Sequence, residues 1–156
     1  MERTLVVLKP DAVQRHFIGR IIERLERKGL RIVALRMRRV DETLARTMYA
    51  EHKGKDFYEP LTAFITAGPV VTMVVEGCGA IAMVRSLIGA TFGPDAAAGT
   101  IRGDFGASRR YNLIHASDSP ASADREIGLM FHDEDMMKYE FLDDPWIYAN
   151  IDRDQK

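Results

Sequence analysis

Apolar positions along this chain fall into two periods, one suited to strands and one to helices. The run Leu5-Val-Val-Leu8 is continuously apolar, as in a buried strand, and Lys9-Pro10-Asp11 ends it. Val13, Phe17, Ile21 and Leu25 then recur every four residues, with Ile18 and Ile22 beside them, up to Gly29. That spacing predicts one amphipathic helix with a glycine stop. Leu30 to Val40 is rich in β-branched residues and arginine and reads as a second, more exposed strand.

Asp41 is placed to cap a helix running to about Lys53, and a shorter helix is expected from Glu59 to Thr66. Gly68-Pro69 breaks the chain. Val70-Val-Thr-Met-Val-Val-Glu76 is the strongest strand signal, apolar enough for the centre of a sheet. A helix from Ala80 to Ile88 follows, then a segment from Gly89 to Arg109 with five glycines, a proline and no sustained period. Tyr111 to His115 reads as a last short strand. Ser119-Pro120 supplies an N-cap and a first-turn proline for a helix to about Phe131. The tail from Phe141 to Lys156 carries Trp146 and Tyr148 and is expected to dock.

The order β-α-β, a helical pair, then β-α-β predicts an α/β (α+β) sandwich. It is a ferredoxin-like four-stranded antiparallel sheet covered by helices. The 156 residues are expected to form a single domain, 1–156. The loop of about twenty residues before the last strand is long for a compact domain, and such loops usually carry function.

Charge and cysteine content narrow the classes. With 22 basic and 23 acidic residues the net charge is −1, so no global field draws the chain to nucleic acid or to an acidic membrane. An anionic ligand would have to be held by locally placed Arg and Lys. Cys78 is the only cysteine, which excludes an internal disulfide and points to a reducing compartment. The apolar run near Met1 is too short for a signal peptide or a span. A soluble, cytoplasmic protein is expected.

Two nucleotide-binding patterns bear on function. Gly77-Cys-Gly79-Ala-Ile-Ala82 fits the dinucleotide fingerprint, which would suggest an oxidoreductase. The fingerprint also needs a second parallel strand leading to an acidic residue. Asp95 is at the right distance but lies in Ala90-Thr-Phe-Gly-Pro-Asp95, which cannot be a buried strand. A plain strand-to-helix turn is the expected reading. No P-loop occurs.

Four histidines are present, His16, His52, His115 and His132. His115 differs in its neighbours: it ends an apolar strand, Ser117, Asp118 and Ser119 follow, and the next helix carries Glu126. A neutral imidazole can attack through one nitrogen while the other donates to a carboxylate that fixes the tautomer. Glu126 is a candidate for that partner. The long loop and its flanks supply Arg85, Arg102, Arg109 and Arg110, with Thr91 and Thr100. Arginine forks match phosphate oxygens, and phosphoryl transfer relies on such cations. From spacing alone these arginines could equally be a solvated surface.

Asn112-Leu-Ile-His115-Ala-Ser-Asp118 resembles the N-x-x-H-G-S-D signature of nucleoside diphosphate kinases. Thr4-Leu-Val-Val-Leu-Lys9-Pro-Asp-Ala-Val-Gln-Arg15 is similar to that family's opening strand and turn. Gly99-Thr-Ile-Arg102-Gly-Asp-Phe105 matches another family block unchanged, and Gly68-Pro69-Val-Val71 resembles a fourth. The likeness runs from about Arg3 to Tyr148. It implies a ping-pong enzyme in which His115 takes the γ-phosphate of a nucleoside triphosphate and passes it to a nucleoside diphosphate.

The resemblance also implies roles residue by residue. Glu126, supported by Ser117, would hold the imidazole, and Tyr49 would sit beside the phosphorylated histidine. Arg85, Thr91 and Arg102 would bind phosphates. Lys9 and Asn112 would hold the ribose end, with Lys9 also reaching phosphate. Phe57 would stack on the base, giving broad specificity because every base has a π-face. Mg²⁺ would ride on the nucleotide phosphates, with Asp118 at most touching it through water and no protein-ligated metal. The tail Asp144-Pro-Trp146-Ile-Tyr148 resembles longer, hexameric members, so a homohexamer is expected over a tetramer.

Three departures stand out. Ala116 replaces a glycine, a substitution that would be strained if the backbone there needs positive φ. Arg109 falls where the family usually places an apolar residue against the base, so a guanidinium would stack there instead. Phe92-Gly93-Pro94 and Ala98 differ from the usual loop. Strand parity sets a test independent of the family. Asn112 and His115 reach one site only if Asn112 precedes the regular strand, or if the strand bends. The first is expected. A scaffold that binds nucleotide without turnover would be favoured by loss of Lys9, His115 or Glu126, and all three are present.

Overall fold

The computed structural model describes residues 1–153. Four strands, β1 (Glu2–Leu8), β2 (Arg31–Arg39), β3 (Pro69–Gly77) and β4 (Ile114–Ala116), form one sheet in the order β2-β3-β1-β4. Every neighbouring pair is antiparallel. β1 and β2 are thus separated by β3, the split arrangement predicted from the element order. The fingerprint around Gly77 accordingly opens no parallel βαβ unit. Gly79 takes φ +63 at the start of α5 (Ala80–Ile88), an ordinary tight turn.

Side-chain alternation along β1 sorts the core into two layers. Val6 and Leu8 join Val71, Met73, Val75, Ile114 and Ala116 on one face. There they pack under Ile21 and Leu25 of α2 (Ile18–Arg27), Val84 and Ile88 of α5, and Ile101 of α6 (Ile101–Phe105). Leu5, Val7, Val70 and Val74 face the other way. They meet Ala45 and Met48 of α3 (Glu42–Met48), Tyr58 and Ile65 of α4 (Tyr58–Thr66), and Met130 of α7 (Pro120–Met130). Since Ile114 and Ala116 belong to the first layer, His115 between them faces the second, toward α3 and α7.

The helix expected across Val13 to Leu25 is two helices, α1 (Pro10–Gln14) and α2. His16 turns to φ +60, its N–H donates to Val13 O, and the Phe17 N–H reaches back to Ala12 O. That pair of bonds is a Schellman ending, here with histidine where glycine is usual. The same motif closes α2, with Gly29 at φ +85 and Leu30 N–H donating to Leu25 O. Asp41 caps α3 through Leu44 N–H at 2.8 Å, but the helix stops at Met48 and tightens into a 3₁₀ turn at Ala50–His52. Ser119 caps α7 through Ser122 N–H, with Pro120 at the first position.

The segment 89–109 is not structureless. It holds a 3₁₀ turn at Gly93–Asp95 and α6, whose N-cap Thr100 accepts from Gly103 N–H. Glycine is required at position 103 for a steric reason: a Cβ there would lie 1.9 Å from Ala97 O. In the tail, α8 (Asp144–Ile147) and α9 (Asn150–Arg153) follow, and residues 154–156 of the expected docking tail lie outside the described residues. Tyr148 docks, donating to Gly29 O at 2.8 Å, whereas Trp146 is 91% exposed.

Candidate active site

β4 is only three residues long, and the chain enters it through a turn that brings the site together. Leu113 has φ +68, and Ile114 N–H donates to Asn112 O at 2.7 Å, closing a three-residue turn. Such γ-turns are rare and strained, so surrounding contacts must hold them. Here Lys9 N–H donates to Leu113 O at 2.8 Å, and Leu113 N–H donates to Asp11 Oδ2 at 3.1 Å. The two residues flanking Pro10 therefore grip the turn from both sides. Asn112 precedes the strand, as the parity argument required.

Past the turn, His115 pairs with Val7 across β1 and projects toward α7. Its Nε2 lies 2.8 Å from Glu126 Oε2, and the Ser117 hydroxyl donates to that same oxygen at 2.8 Å. Arg125 contributes a 3.4 Å contact to Oε1. Glu126 and Ser117 are buried. Burial pushes the Glu126 carboxyl upward, but the bond and charge of His115 and the bond from Ser117 outweigh it and hold it below its ordinary range. An ionised Glu126 is an acceptor only, so in the neutral imidazole the proton sits on the ring nitrogen facing it and the lone pair on Nδ1. Tyr49 stands edge-on to the imidazole, ring centroids 6.0 Å apart. Its hydroxyl is buried without a hydrogen-bond partner among the described residues, and burial followed by the Glu126 charge raises its pKa.

Asn112 is the junction of the cationic end. Lys9 Nζ donates to Asn112 Oδ1 at 2.7 Å, and Asn112 Nδ2 donates to Thr91 O at 2.9 Å. Arg102 Nε donates to Asn112 O at 3.0 Å. The remaining Arg102 nitrogens reach Gly89 O, Ala90 O and Ile114 O. Arg102 is thus a clamp between the long loop and β4 as well as a local positive charge. Burial and the Arg85 charge lower its pKa to about 10. Burial and Arg102 lower Lys9 to about 8, with Asp11 opposing. Asp11 itself is raised by burial, and its Oδ1 has no hydrogen-bond partner among the described residues.

These groups open into one cavity of about 540 Å³. Lys9, Tyr49, Arg85, Thr91, Arg102, Asn112, His115 and Glu126 line it together, and Phe57 and Asp118 join them. Of the residues given catalytic or nucleotide-binding roles from the sequence, Ser117 alone lies behind the wall, acting on Glu126. Hydrogen bonds from Ser122 chiefly hold Asp118 low and ionised. Among the described residues no three His, Cys, Asp or Glu side chains are grouped to ligate a metal.

Other lining residues carried no clear signal in the sequence. His52 lies between Tyr49 and Phe57, 6.2 and 5.3 Å from their ring centroids. Pro60, Leu61 and Phe64 continue the apolar wall along α4. Asp11, inside the opening block, is not part of the cavity wall, and nothing in the pattern tied it to Leu113. Ala116 is not strained: it lies in β4, is buried, and is not among the positive-φ residues. Arg109 lines the cavity, backed by the Phe92 ring at 5.0 Å.

Comparison with known proteins gives a concordant result. Residues 2–136 match the family model described as nucleoside diphosphate kinase. The nucleoside diphosphate kinase of Archaeoglobus fulgidus is 55% identical over 148 residues, 95% of this chain and 98% of that protein. That of Thermococcus kodakarensis is 52% identical over 159 residues, covering 100% of this chain and 91% of the relative. Among solved structures, a halophilic nucleoside diphosphate kinase from Halobacterium salinarum in complex with CDP superposes with a TM-score of 0.93. It is 49% identical, over 95% of this chain and 99% of that one.

Proposed function

The chain belongs to the nucleoside diphosphate kinase family and is a phosphotransferase, and we propose that it works by ping-pong transfer through a phosphohistidine at His115. One observation carries the mechanism: an imidazole whose Nε2 is held at 2.8 Å by a buried, ionised Glu126, inside a cavity that also holds Lys9, Arg85 and Arg102.

In the first half-reaction Nδ1 attacks the γ-phosphorus. The N–P bond forms as the bond from phosphorus to the β,γ-bridging oxygen breaks, and the nucleoside diphosphate leaves with that electron pair. In the second, a terminal β-oxygen of another nucleoside diphosphate attacks the same phosphorus, and the N–P electron pair returns to Nδ1. The proton on Nε2 stays shared with Glu126 throughout, offsetting charge on the ring. Ser117 keeps Glu126 in place.

Lys9, Arg85 and Arg102, with the Thr91 hydroxyl, would neutralise the moving phosphoryl group. Tyr49 would pack beside the phosphorylated ring. Lys9 and Asn112 would also meet the ribose, and Phe57 would stack on the base with broad tolerance. Mg²⁺ enters as part of the substrate, on the nucleotide phosphates, with Asp118 near enough for a water-mediated contact.

The remaining features of this reading rest on the sequence. A single domain spanning 1–156 would act in the cytoplasm, consistent with a lone cysteine and with no described helix long and apolar enough to cross a membrane. Its partners would be nucleotides rather than nucleic acid. A homohexamer is proposed from the tail, where Leu142, Trp146 and Ile151 are exposed; light scattering separates it from a tetramer.

Incubation with γ-labelled ATP should give acid-labile, alkali-stable label on the protein that GDP discharges. The His115→Ala variant should take up none. Label persisting in that variant would refute the mechanism.

A further inference from the structure

The peptide that joins Asn112 to Leu113 is gripped at both ends by charged side chains. Its N–H donates to Asp11 Oδ2 at 3.1 Å. Its C=O accepts from Arg102 Nε at 3.0 Å and from Ile114 N–H at 2.7 Å. The peptide is trans, so these two groups point in opposite directions. A carboxylate from the first turn of α1 and a guanidinium from α6 therefore stand on opposite sides of one planar unit.

Leu113 makes that unit the point at which the site would give. At φ +68 a leucine stores backbone strain. Relief requires the 112–113 peptide to swing about its flanking Cα atoms, which would carry the N–H off Asp11 and the C=O off Arg102 together. A hydrogen bond to an ionised acceptor is of the same order as that strain, so the Asp11 bond is strong enough to hold the peptide where it is. The other carboxylate oxygen, Oδ1, is buried with no hydrogen-bond partner among the described residues. Accepting one N–H does not by itself call for a carboxylate. The charge adds what an amide would not, because it favours Lys9 and Arg102 as cations.

We propose that Asp11 is a positioning residue for Arg102, acting through the Asn112–Leu113 peptide from behind the cavity wall. Arg102 lines the cavity and Asp11 does not. With the peptide fixed, the guanidinium is anchored through Nε before any phosphate arrives. With the peptide free, that anchor goes, and the guanidinium must be ordered anew at each turnover. The consequence for turnover rests on the phosphotransfer reading; the hold on Arg102 does not.

Two measurements on Asp11→Ala and Asp11→Asn test this. The first follows the Arg102 Nε–H signal by ¹⁵N NMR, identified by its disappearance in Arg102→Gln. Its exchange with solvent should quicken at least about tenfold in Asp11→Ala. Asp11→Asn should restore most of the protection, since its amide oxygen still accepts from Leu113 N–H. The second is steady-state kinetics. In Asp11→Ala kcat should fall roughly ten- to thirtyfold, less than for loss of Arg102 itself. KM should change by less than about threefold, and Asp11→Asn should recover most of kcat. If Asp11→Ala does not fold, Asp11→Ser takes its place, since serine suits a helix start but falls short of Leu113. An Arg102 signal unmoved by loss of the carboxylate overturns the proposal. Faster exchange with kcat unchanged also overturns it, as does an Asn variant no better than Ala in either measurement. If the unaltered protein forms no phosphoprotein, the phosphotransfer reading falls, and the exchange measurement alone decides whether Asp11 positions Arg102.

Discussion

Lys9 illustrates how one residue can carry a pH dependence for the whole site. Its ammonium is buried against Asn112 and faces the charge of Arg102, and its pKa drops from 10.5 to about 8. A cation is what a phosphate needs, so kcat/KM should fall as pH rises through about 8, and a Lys9→Gln variant should be slow without that limb. The effect on stability has the opposite sign. Between about 8 and 10.5 the unfolded chain holds this proton more tightly than the folded one, so the group favours folding increasingly as pH rises. Arg85 and Arg102 make a second contrast. Both should cost on the order of 10²–10³ in turnover when changed to Gln. Arg85 is exposed and should leave unfolding by urea almost unchanged. Arg102 bonds to four backbone carbonyls, and its loss should also cost about 2–3 kcal/mol of stability. The sequence identified both arginines by type and motif. It could not show that one of them is mostly engaged with backbone, because those carbonyls belong to a loop, a turn and the first residue of a three-residue strand, too short to show a period.

At the level of elements, legibility followed how far local chemistry agreed with the final packing. Ser119-Pro120 announced α7, and Gly79 and Gly89 bracketed α5 to the residue. The break after α1 was hidden because Val13 and Phe17 still pack on the layer that receives Ile21 and Leu25, so the four-residue spacing runs through the interruption. His16 is the residue that absorbs the break, exposed and at φ +60. Substituting Val there should lower stability by about 1–2 kcal/mol, since a β-branched side chain resists that conformation, whereas Gly should change it by less than about 0.5 kcal/mol. Chemical denaturation of the two variants checks this. Helix α6 was invisible for the converse reason. Gly103 argues against a helix, and only the approach of Ala97 O explains why glycine must be there.

For the molecule as a whole, the split β-α-β order was readable because the four strands and the helices α2, α3, α4, α5 and α7 announced their type, and the antiparallel order follows from that plan. What the whole molecule adds is that Lys9, Glu126 and the long loop, far apart in sequence, converge on one cavity. A nucleotide filling it binds only the folded state. Saturation at about 100 times Kd should add about 2.7 kcal/mol. For a chain of this length that raises Tm by about 5–10 °C, a shift that calorimetry should register with a nucleoside diphosphate and not with a free base. Asn112 draws a further consequence from the same convergence. Its side chain and carbonyl bind Lys9, Arg102 and the backbone of Thr91 at once. Losses at Lys9, Arg102 and Asn112 will therefore not add: once one is gone, removing a second finds much of the damage already done.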